Sequence, residues 1–422
     1  MLSNVSRRGV RIGLKNARFL HVHSFDARKI TVSDPSFDSA EPVGFRNLFL
    51  RDACPSFVNP STRQKSFSTG QLKADIAAED VSVAEDGQSL TVKWNDGVTS
   101  HYPKHLLQRY SSRSARRQYR LINGSAQNIW KEPKLSDIHN CSFKDYMQDD
   151  KAFADTLSEL CRTGLVFLKD VPRPEEMDEI PVEAIARRVG YIHQTFYGQS
   201  WDVVAVPEAI NIAYTSVYLP LHMDLLYYES PPGVQLLHVV DNTAKGGESV
   251  FADSFAAALS VLKKDPEAYE ALTRIPLTFH YPHETNHYYY QRPLIVEDTS
   301  SEINSETGRH DIKVVNYSPP FQGPLDSIAT STDISDRDLD AFIRGLKMFE
   351  AYIDDPANCI ELHTPENTCM VFMNRRILHG RREFSFNSSG KRFFKGTYLD
   401  IDTVQSKLRT ATQNNIVPDS LN

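Results

Sequence analysis

Short runs of apolar and β-branched residues recur between turn residues along much of the chain, and they limit the folds that it can adopt. Runs of this length and composition are typical of buried β-strands. They are VQLLHVV, ESVFAD, KVVNYS, NTCMVFM and FFKGTYLDI. Helical patterns are fewer and lie at 150–163, 181–189 and 336–355. Many short strands with a few helices predict an α+β, mainly β fold, with a jelly-roll core and helices packed outside it.

The residues before about 125 have a different pattern, in which β-rich runs are separated by hairpin signals. Two Asp-Gly pairs, at 86–87 and 96–97, each lie between such runs. This pattern predicts a small β-rich domain, and the polar, basic residues 111–125 are a plausible linker after it. The predicted organisation is a targeting segment at 1–25, a β-rich domain at 26–125, the jelly-roll domain at 126–412 and a tail at 413–422.

The first 25 residues carry basic but no acidic side chains. The basic ones are Arg7, Arg8, Arg11, Lys15 and Arg18. Four of them fall on one stripe of a helix, and apolar residues fall on another. A basic amphipathic helix at this place predicts a mitochondrial transit segment, and the absence of a long apolar run argues against a secretory signal. The alternative is an unstructured basic tail on a cytoplasmic protein.

Charge and cysteine usage exclude several classes of protein. The formal net charge of −7 argues against a broad surface for nucleic acid. No run approaches the roughly 18 apolar residues that a membrane span needs. The five cysteines are scattered and form no CxxC pair, which argues against a disulfide framework and Cys-rich zinc sites.

A metal-binding pattern occurs at His222-Met223-Asp224. On a β-strand, residues i and i+2 share a face, so His222 and Asp224 would direct an imidazole and a carboxylate at one point. His379 is the best candidate for a third ligand. Two histidines and one carboxylate leave three positions open on an octahedral Fe(II), as in non-haem oxygenases. By itself, a His-x-Asp pair also occurs on solvated strand edges.

Arg392 follows His379 closely in the sequence and strengthens the metal-site interpretation. A guanidinium can hold a carboxylate through two parallel hydrogen bonds. The spacing therefore predicts that Arg392 anchors the far carboxylate of 2-oxoglutarate, while the other end of this co-substrate binds the iron.

The segment HETNH at 283–287 matches the HExxH pattern of zinc proteases. That pattern needs a helix to place both histidines on one face. Pro282 before the segment and three consecutive tyrosines after it favour a strand or loop instead. We therefore do not predict a zinc protease. His238, within VQLLHVV, is interpreted as a buried strand histidine.

A set of aromatic residues lies in the same part of the sequence as the predicted ligands. Its members are Tyr197, Trp201, Tyr214 and Tyr398. Each of them taken alone is explained by core packing. Beside an iron site, together they would enclose a quaternary ammonium group, which binds aromatic faces through the ring quadrupole.

Taken together, these motifs resemble the gamma-butyrobetaine and trimethyllysine dioxygenase family, within the TauD/TfdA-like 2-oxoglutarate oxygenases. The matching segments are NIAYTSVYLPLHMDLLYYESPPGVQLLH, GGESVFADSF, FMNRRILHGRREF and KGTYLD, with a weaker likeness at LFLRDACPSF and VKWNDG. The resemblance implies a double-stranded β-helix that binds Fe(II), 2-oxoglutarate and O2, with ascorbate as reductant, and that forms a homodimer.

The resemblance also implies roles for individual residues. His222, Asp224 and His379 would hold iron, and Arg392 and Arg381 would bind 2-oxoglutarate. The implied substrate-binding residues are Tyr197, Trp201, Asn211, Tyr214, Ser318 and Tyr398. The implied reaction hydroxylates a trimethylammonium carboxylate, gamma-butyrobetaine to L-carnitine, with succinate and CO2 as co-products.

Asn211 bears on which branch of the family the chain resembles. The trimethyllysine branch more often has an acidic residue here, which suits a free amino group, whereas a neutral Asn suits a substrate with only a carboxylate. This difference favours gamma-butyrobetaine. Three alternatives stay open: trimethyllysine hydroxylation, another small-molecule 2-oxoglutarate oxygenase, and a metal-binding protein without catalysis.

The sequence departs from the family pattern at several positions. Ser318 replaces an Asn that contacts the substrate carboxylate, and Met373 and Arg375 replace an acidic residue and a Trp before the metal histidine. Cys54 is the one cysteine left in the segment that often carries a zinc site in the family. We therefore predict no structural zinc, and these substitutions leave the exact substrate open.

Overall fold

The computed structural model describes residues 19–120, 127–204, 216–330, 333–385 and 391–413. These residues form two compact units, the first ending at Arg120 and the second beginning at Gln127. Most of the predicted targeting segment, Asn211, Tyr214 and nearly all of the predicted tail lie outside the described residues.

The first unit consists of two three-stranded antiparallel sheets and short helices. Its elements are β1 His21–Phe25, β2 Lys29–Ser33, β3 Val43–Arg46, α1 Asn47–Asp52, β4 Ala78–Val83, β5 Ser89–Trp94, β6 Thr99–Pro103, α2 Lys104–Tyr110 and α3 Arg113–Arg120. Gly87 and Gly97 have φ angles of 68° and 84°, so the predicted Asp-Gly turns join β4 to β5 and β5 to β6. Trp94 and Tyr102 are fully buried in its core.

Two elements of this unit extend into segments that were predicted as targeting segment and linker. Strand β1 begins at His21, inside the segment predicted for targeting, because it pairs with β2 across a turn in which Asp26 accepts the backbone N–H groups of Arg28 and Lys29. Much of the predicted linker is helix α3. The Ser112 hydroxyl accepts a backbone N–H at its start, and this local capping favours a helix despite the polar composition.

The second unit is larger and contains most of the strands. Its elements are β7 His139–Ser142, α4 Phe143–Gln148, α5 Asp150–Thr163, β8 Leu165–Lys169, α6 Pro181–Val189, β9 Ser200–Val204, β10 Leu219–His222, β11 Val234–Asn242, β12 Lys245–Gly246, β13 Ser249–Asp253, α7 Ser254–Lys264, α8 Pro266–Arg274, β14 Pro276–Pro282, β15 His287–Pro293, β16 Ile295–Glu297, β17 Ile312–Val315, α9 Asp336–Ile353, β18 Cys359–Leu362, β19 Thr368–Met373, β20 Ile377–Arg381, β21 Phe384–Ser385, β22 Arg392–Leu399 and α10 Ile401–Gln413.

Two sheets form the framework of this unit. One has the strand order β7-β8-β19-β11-β22-β9, and the other has the order β10-β20-β13-β18. The strand pairs are antiparallel except for β7 and β8, and strands far apart in the sequence alternate within each sheet. This is the predicted double-stranded β-helix.

The predicted helices begin and end at the expected signals. The Asp149 carboxylate accepts two backbone N–H groups at the start of α5, and Gly164, with φ 87°, ends that helix and leads directly into β8. Ser335 caps α9 through its hydroxyl. Every helix that the structure describes is too short or too polar to cross a membrane.

Apolar layers hold the two sheets and the helices together. Between the sheets, Phe167 and Phe372 of one sheet pack against Phe251 of the other. Helices α5, α6 and α10 cover the outer face of the larger sheet. His238 is fully buried on β11, as predicted.

Candidate metal centre and active-site cavity

The structure brings the three predicted metal ligands together. His222 and His379 lie directly opposite each other on β10 and β20, and their ring centroids are 4.2 Å apart. Asp224 Oδ1 lies 3.2 Å from His222 Nε2 and 4.0 Å from His379 Nε2. All three ligand atoms lie within 4.8 Å of one another, which is close enough for a single ion to contact each of them.

The expected strand geometry of the His-x-Asp pair is wrong, although the two side chains do meet. Strand β10 ends at His222, so Asp224 lies in the turn that follows it. Leu225, next in the chain, has a φ of 57°, which is uncommon for a residue other than glycine. Asn374 holds this turn, since its Oδ1 accepts the Asp224 N–H at 2.9 Å and its Nδ2 donates to the Asp224 carbonyl.

Hydrogen bonding and burial prepare these groups for a cation. His222 Nδ1 lies 2.8 Å from the Pro220 carbonyl, which can only accept, so Nδ1 carries the hydrogen and Nε2 presents a lone pair. Burial and the His222 ring lower the pKa of His379 to about 3. Burial alone would raise the pKa of the Asp224 carboxyl, but the two adjacent imidazoles and a tyrosine hydroxyl hold that pKa below its ordinary value. The site thus directs two imidazole nitrogen atoms and a carboxylate at one point.

Tyr398 contacts both the metal site and the aromatic wall. Its hydroxyl donates to Asp224 Oδ2 at 2.6 Å, and its ring stacks on Trp201 with 4.1 Å between centroids. Trp201 fits there because Gly396 has no side chain, and a Cβ at that position would lie 2.5 Å from the indole. The Tyr197 ring is 6.1 Å from Trp201. Three of the four predicted aromatic residues therefore line one wall.

Two arginines also lie at the site. Arg381 is the last residue of β20, and Arg392 is the first residue of β22. Arg392 is 7% exposed, its guanidinium lies over the Phe394 ring at 3.9 Å, and its buried Nε has no hydrogen-bond partner among the described residues. Burial and the neighbouring Arg381 lower the pKa of Arg392 to about 9. Arg381 donates to the Val217 carbonyl. A buried cation with an unused donor is suited to an anionic ligand.

These groups line one cavity. It contains the three metal ligands, Tyr197, Trp201, Tyr398, Arg381 and Arg392. Ser318 is buried with an unpartnered hydroxyl, but it is not part of this lining. Our sequence analysis did not single out Gln235 and Ser249, which also line the cavity, or Asn374. A polar residue inside an otherwise apolar strand was the available signal for Gln235.

The HETNH segment does not form a helix. Strand β14 ends at Pro282, and strand β15 begins at His287. Residues 283–286 form the tight turn between these strands. The two histidines of the motif therefore lie at the ends of a hairpin turn, and the prediction against a zinc-protease helix is confirmed.

The family model described as "Taurine catabolism dioxygenase TauD, TfdA family" matches residues 129–398. This match covers well over half of the chain and includes the strands that carry the triad and both arginines. The chain belongs to the TauD/TfdA family. Residues 26–108 also match the model "Gamma-butyrobetaine hydroxylase-like, N-terminal".

Several relatives are similar over most of this TauD/TfdA-family chain. "Probable oxidoreductase AIM17" of Saccharomyces cerevisiae is 33% identical over 91% of this chain and 89% of the relative. "Dioxygenase str8" of Strobilurus tenacellus is 33% identical over 86% and 83%, and gamma-butyrobetaine dioxygenase of Pseudomonas sp. is 30% identical over 86% and 89%. A solved asparagine oxygenase is 16% identical, with a TM-score of 0.44 over 67% of this chain and 88% of that one.

Membership in the TauD/TfdA family makes this protein an enzyme of the Fe(II)/2-oxoglutarate dioxygenase class, and the side chains fit that class. His222 Nε2 and an Asp224 carboxylate oxygen lie 3.2 Å apart, and with a His379 nitrogen they offer one ion the two-histidine, one-carboxylate donor set of non-haem iron sites. The unused donor of Arg392 lies in the same cavity, where it suits the carboxylate of 2-oxoglutarate.

Proposed function

We propose that this dioxygenase hydroxylates a trimethylammonium carboxylate and that gamma-butyrobetaine, converted to L-carnitine, is its preferred substrate. The observation that carries this proposal is the aromatic wall of Tyr197, Trp201 and Tyr398 in the cavity that also contains the His-Asp-His triad. A quaternary ammonium has no N–H to donate, so aromatic faces are the protein surface that binds it best.

Each part of the cavity has a separate task in this proposal. His222, Asp224 and His379 would hold the iron, and Arg392, with Arg381 beside it, would bind the far carboxylate of 2-oxoglutarate. Iron bound there supplies the activation of O2 and the oxidative decarboxylation of 2-oxoglutarate to succinate and CO2. The chain itself supplies positioning, which determines the substrate C–H bond that faces the metal.

Tyr398 links substrate binding to the metal site in this scheme. Its ring is part of the wall for the ammonium group, and its hydroxyl orients the Asp224 carboxylate. Residues that orient a ligand in this way commonly tune the affinity of a metal site. We also propose that Asn211 contacts the substrate carboxylate, as the family resemblance implies.

The decisive measurement is succinate formation by the iron-loaded enzyme under air, with 2-oxoglutarate, with and without gamma-butyrobetaine. We expect succinate to depend strongly on the betaine and the product to be one oxygen atom heavier. Trimethyllysine in place of the betaine tests the nearest alternative substrate. Succinate that forms without dependence on either compound would contradict the proposed substrate class while leaving the dioxygenase class intact.

A matched pair of variants tests the aromatic wall. Trp201→Ala should raise the KM for the betaine about tenfold or more, since a desolvated cation–π contact is worth about 2 kcal/mol. Tyr191→Ala removes an aromatic side chain that is 89% exposed, and it should leave KM unchanged. Equal KM values for wild type and Trp201→Ala would contradict the role of this wall.

We further propose that the protein acts in mitochondria. The basic, acid-free N-terminal residues support this location, as does a relative named "Trimethyllysine dioxygenase, mitochondrial" from Mus musculus, which is 25% identical over 86% of this chain. Fractionation of cells that express the tagged full chain should place it with mitochondria. A variant with Arg7, Arg8 and Arg11 changed to Gln should stay in the cytosol, and a mitochondrial location for that variant would contradict the targeting role.

A further inference from the structure

A second cavity lies behind the turn that holds Asp224, and it shares no lining residue with the active-site cavity. Its walls come from β16 and β17, the segment 229–233, the turn at 373–376 and the start of α10. Most of the wall is apolar, and Phe255, Val296, Val314 and Ile401 are among its members.

Arg375 is among the residues that line this cavity. It donates to Asn316 Oδ1, and its buried Nε has no hydrogen-bond partner among the described residues. Arg375 also forms no ion pair with any described carboxylate. The Asn316 amide donates in turn to the Pro293 carbonyl, so it is a fixed neutral acceptor that leaves the arginine charge uncompensated.

The other charged groups around the cavity do not neutralise Arg375. Arg376 is already paired with Asp253 at 2.8 Å. Lys313 is an exposed cation that lines the cavity, and Glu229 is an exposed carboxylate. Arg292 is a buried cation near Arg375. Loss of solvent contact and charge repulsion from Arg292 lower the pKa of Arg375 to about 9. The guanidinium therefore stays charged at neutral pH.

A partly buried charge with a buried, unpartnered donor and no counter-ion is unfavourable in a folded protein unless a ligand neutralises it. A guanidinium pairs best with a carboxylate, through two parallel hydrogen bonds, while the surrounding walls offer mainly apolar contact. We propose that this cavity is a second ligand site, which binds an organic carboxylate whose head group contacts Arg375 and whose apolar body packs on Phe255, Val296 and Val314. The site is separate from the cavity that binds 2-oxoglutarate and substrate in the proposed function.

Octanoate is a suitable probe, and octan-1-ol, which has the same tail without the charge, is its control. We expect isothermal titration calorimetry to detect one saturable octanoate site on the full-length, metal-free protein and much weaker binding of octanol. Arg375→Met should weaken octanoate binding about tenfold or more, as expected for the loss of a charge-assisted pair. Arg392→Met alters the active-site cavity and should leave this binding unchanged.

Several outcomes would overturn the proposal. These are the absence of saturable octanoate binding, equal binding of octanol, and octanoate binding that Arg375→Met leaves intact. Loss of binding in Arg392→Met instead would place the carboxylate in the active-site cavity. Thermal unfolding shows whether Arg375→Met is folded. If it is not, Arg375→Lys, which keeps the charge but not the bidentate geometry, should still bind octanoate several-fold more weakly than wild type.

Discussion

Asn374 hydrogen-bonds both backbone groups of Asp224. Its Oδ1 accepts the Asp224 N–H at 2.9 Å, and its Nδ2 donates to the Asp224 carbonyl at 3.0 Å. The same Nδ2 donates to the Pro232 carbonyl at 3.0 Å. One fully buried amide therefore joins the turn after β19 to the turn that carries the carboxylate ligand.

Asn374→Ala should release this turn and weaken metal binding. Without the amide, Asp224 is held mainly through its side chain, and loss of such an orienting residue commonly lowers metal affinity about 10- to 100-fold. Titration with Mn(II) or Co(II) measures the effect. Asn358→Ala removes a different side-chain hydrogen bond to a backbone carbonyl, that of Tyr352, and should leave metal affinity unchanged. Equal losses in both variants would point to general destabilisation instead.

Tyr398→Phe should affect the metal more than the substrate. The substitution removes the hydrogen bond to Asp224 Oδ2 but keeps the ring that stacks on Trp201. We expect metal affinity to fall about tenfold, with little change in the KM for the betaine. The control is Tyr146→Phe, which removes another buried tyrosine hydroxyl, bonded to the Ile185 carbonyl. A raised KM with unchanged metal affinity would contradict this division of roles.

Arg392→Met should raise the KM for 2-oxoglutarate about 10- to 100-fold, because the unused guanidinium donor is then absent. Steady-state succinate formation at varied 2-oxoglutarate measures the change. Arg382→Met removes an arginine that is paired with Glu361 on the protein surface, and its KM should match that of the wild type. An unchanged KM for Arg392→Met would remove Arg392 from the co-substrate site.

His238 should make the stability of the protein depend on pH. Burial, with smaller contributions from Arg173 and Lys395, lowers the pKa of His238 to about 4. Between about pH 6.5 and 4 the unfolded chain therefore binds a proton that the folded chain does not. Acidification over this range should lower the free energy of unfolding by ~1.4 kcal/mol per pH unit, or about 3 kcal/mol in total.

The measurement is urea unfolding at several pH values for wild type and His238→Leu. The variant should lack this part of the pH dependence, and its stability relative to wild type should increase as the pH falls. His101→Leu changes an exposed histidine in the first unit and serves as the control. Parallel curves for wild type and His238→Leu would show that His238 does not titrate in this way.

Much of the fold was predictable because its signals are local. The apolar runs became β11, β13, β19 and β22, the Asp-Gly pairs became hairpins, and Gly164 ended α5 where the pattern indicated. The side chain of a residue and its near neighbours determine propensity, capping and alternation, so these features can be predicted from a short window of sequence. The same local reasoning excluded a helix at HETNH.

The candidate site was predictable in its residue types but not in its geometry. The sequence by itself determined the candidate groups, which are two histidines, a carboxylate and a following arginine. Only the tertiary structure decided that Asp224 lies beyond the end of β10, held by Asn374, and that Tyr398 orients that carboxylate as well as stacking on Trp201. The tertiary structure also decided that Arg375 lines a cavity separate from the active-site cavity. These contacts join residues more than a hundred positions apart, and their geometry depends on how the sheets twist and pack rather than on any local pattern.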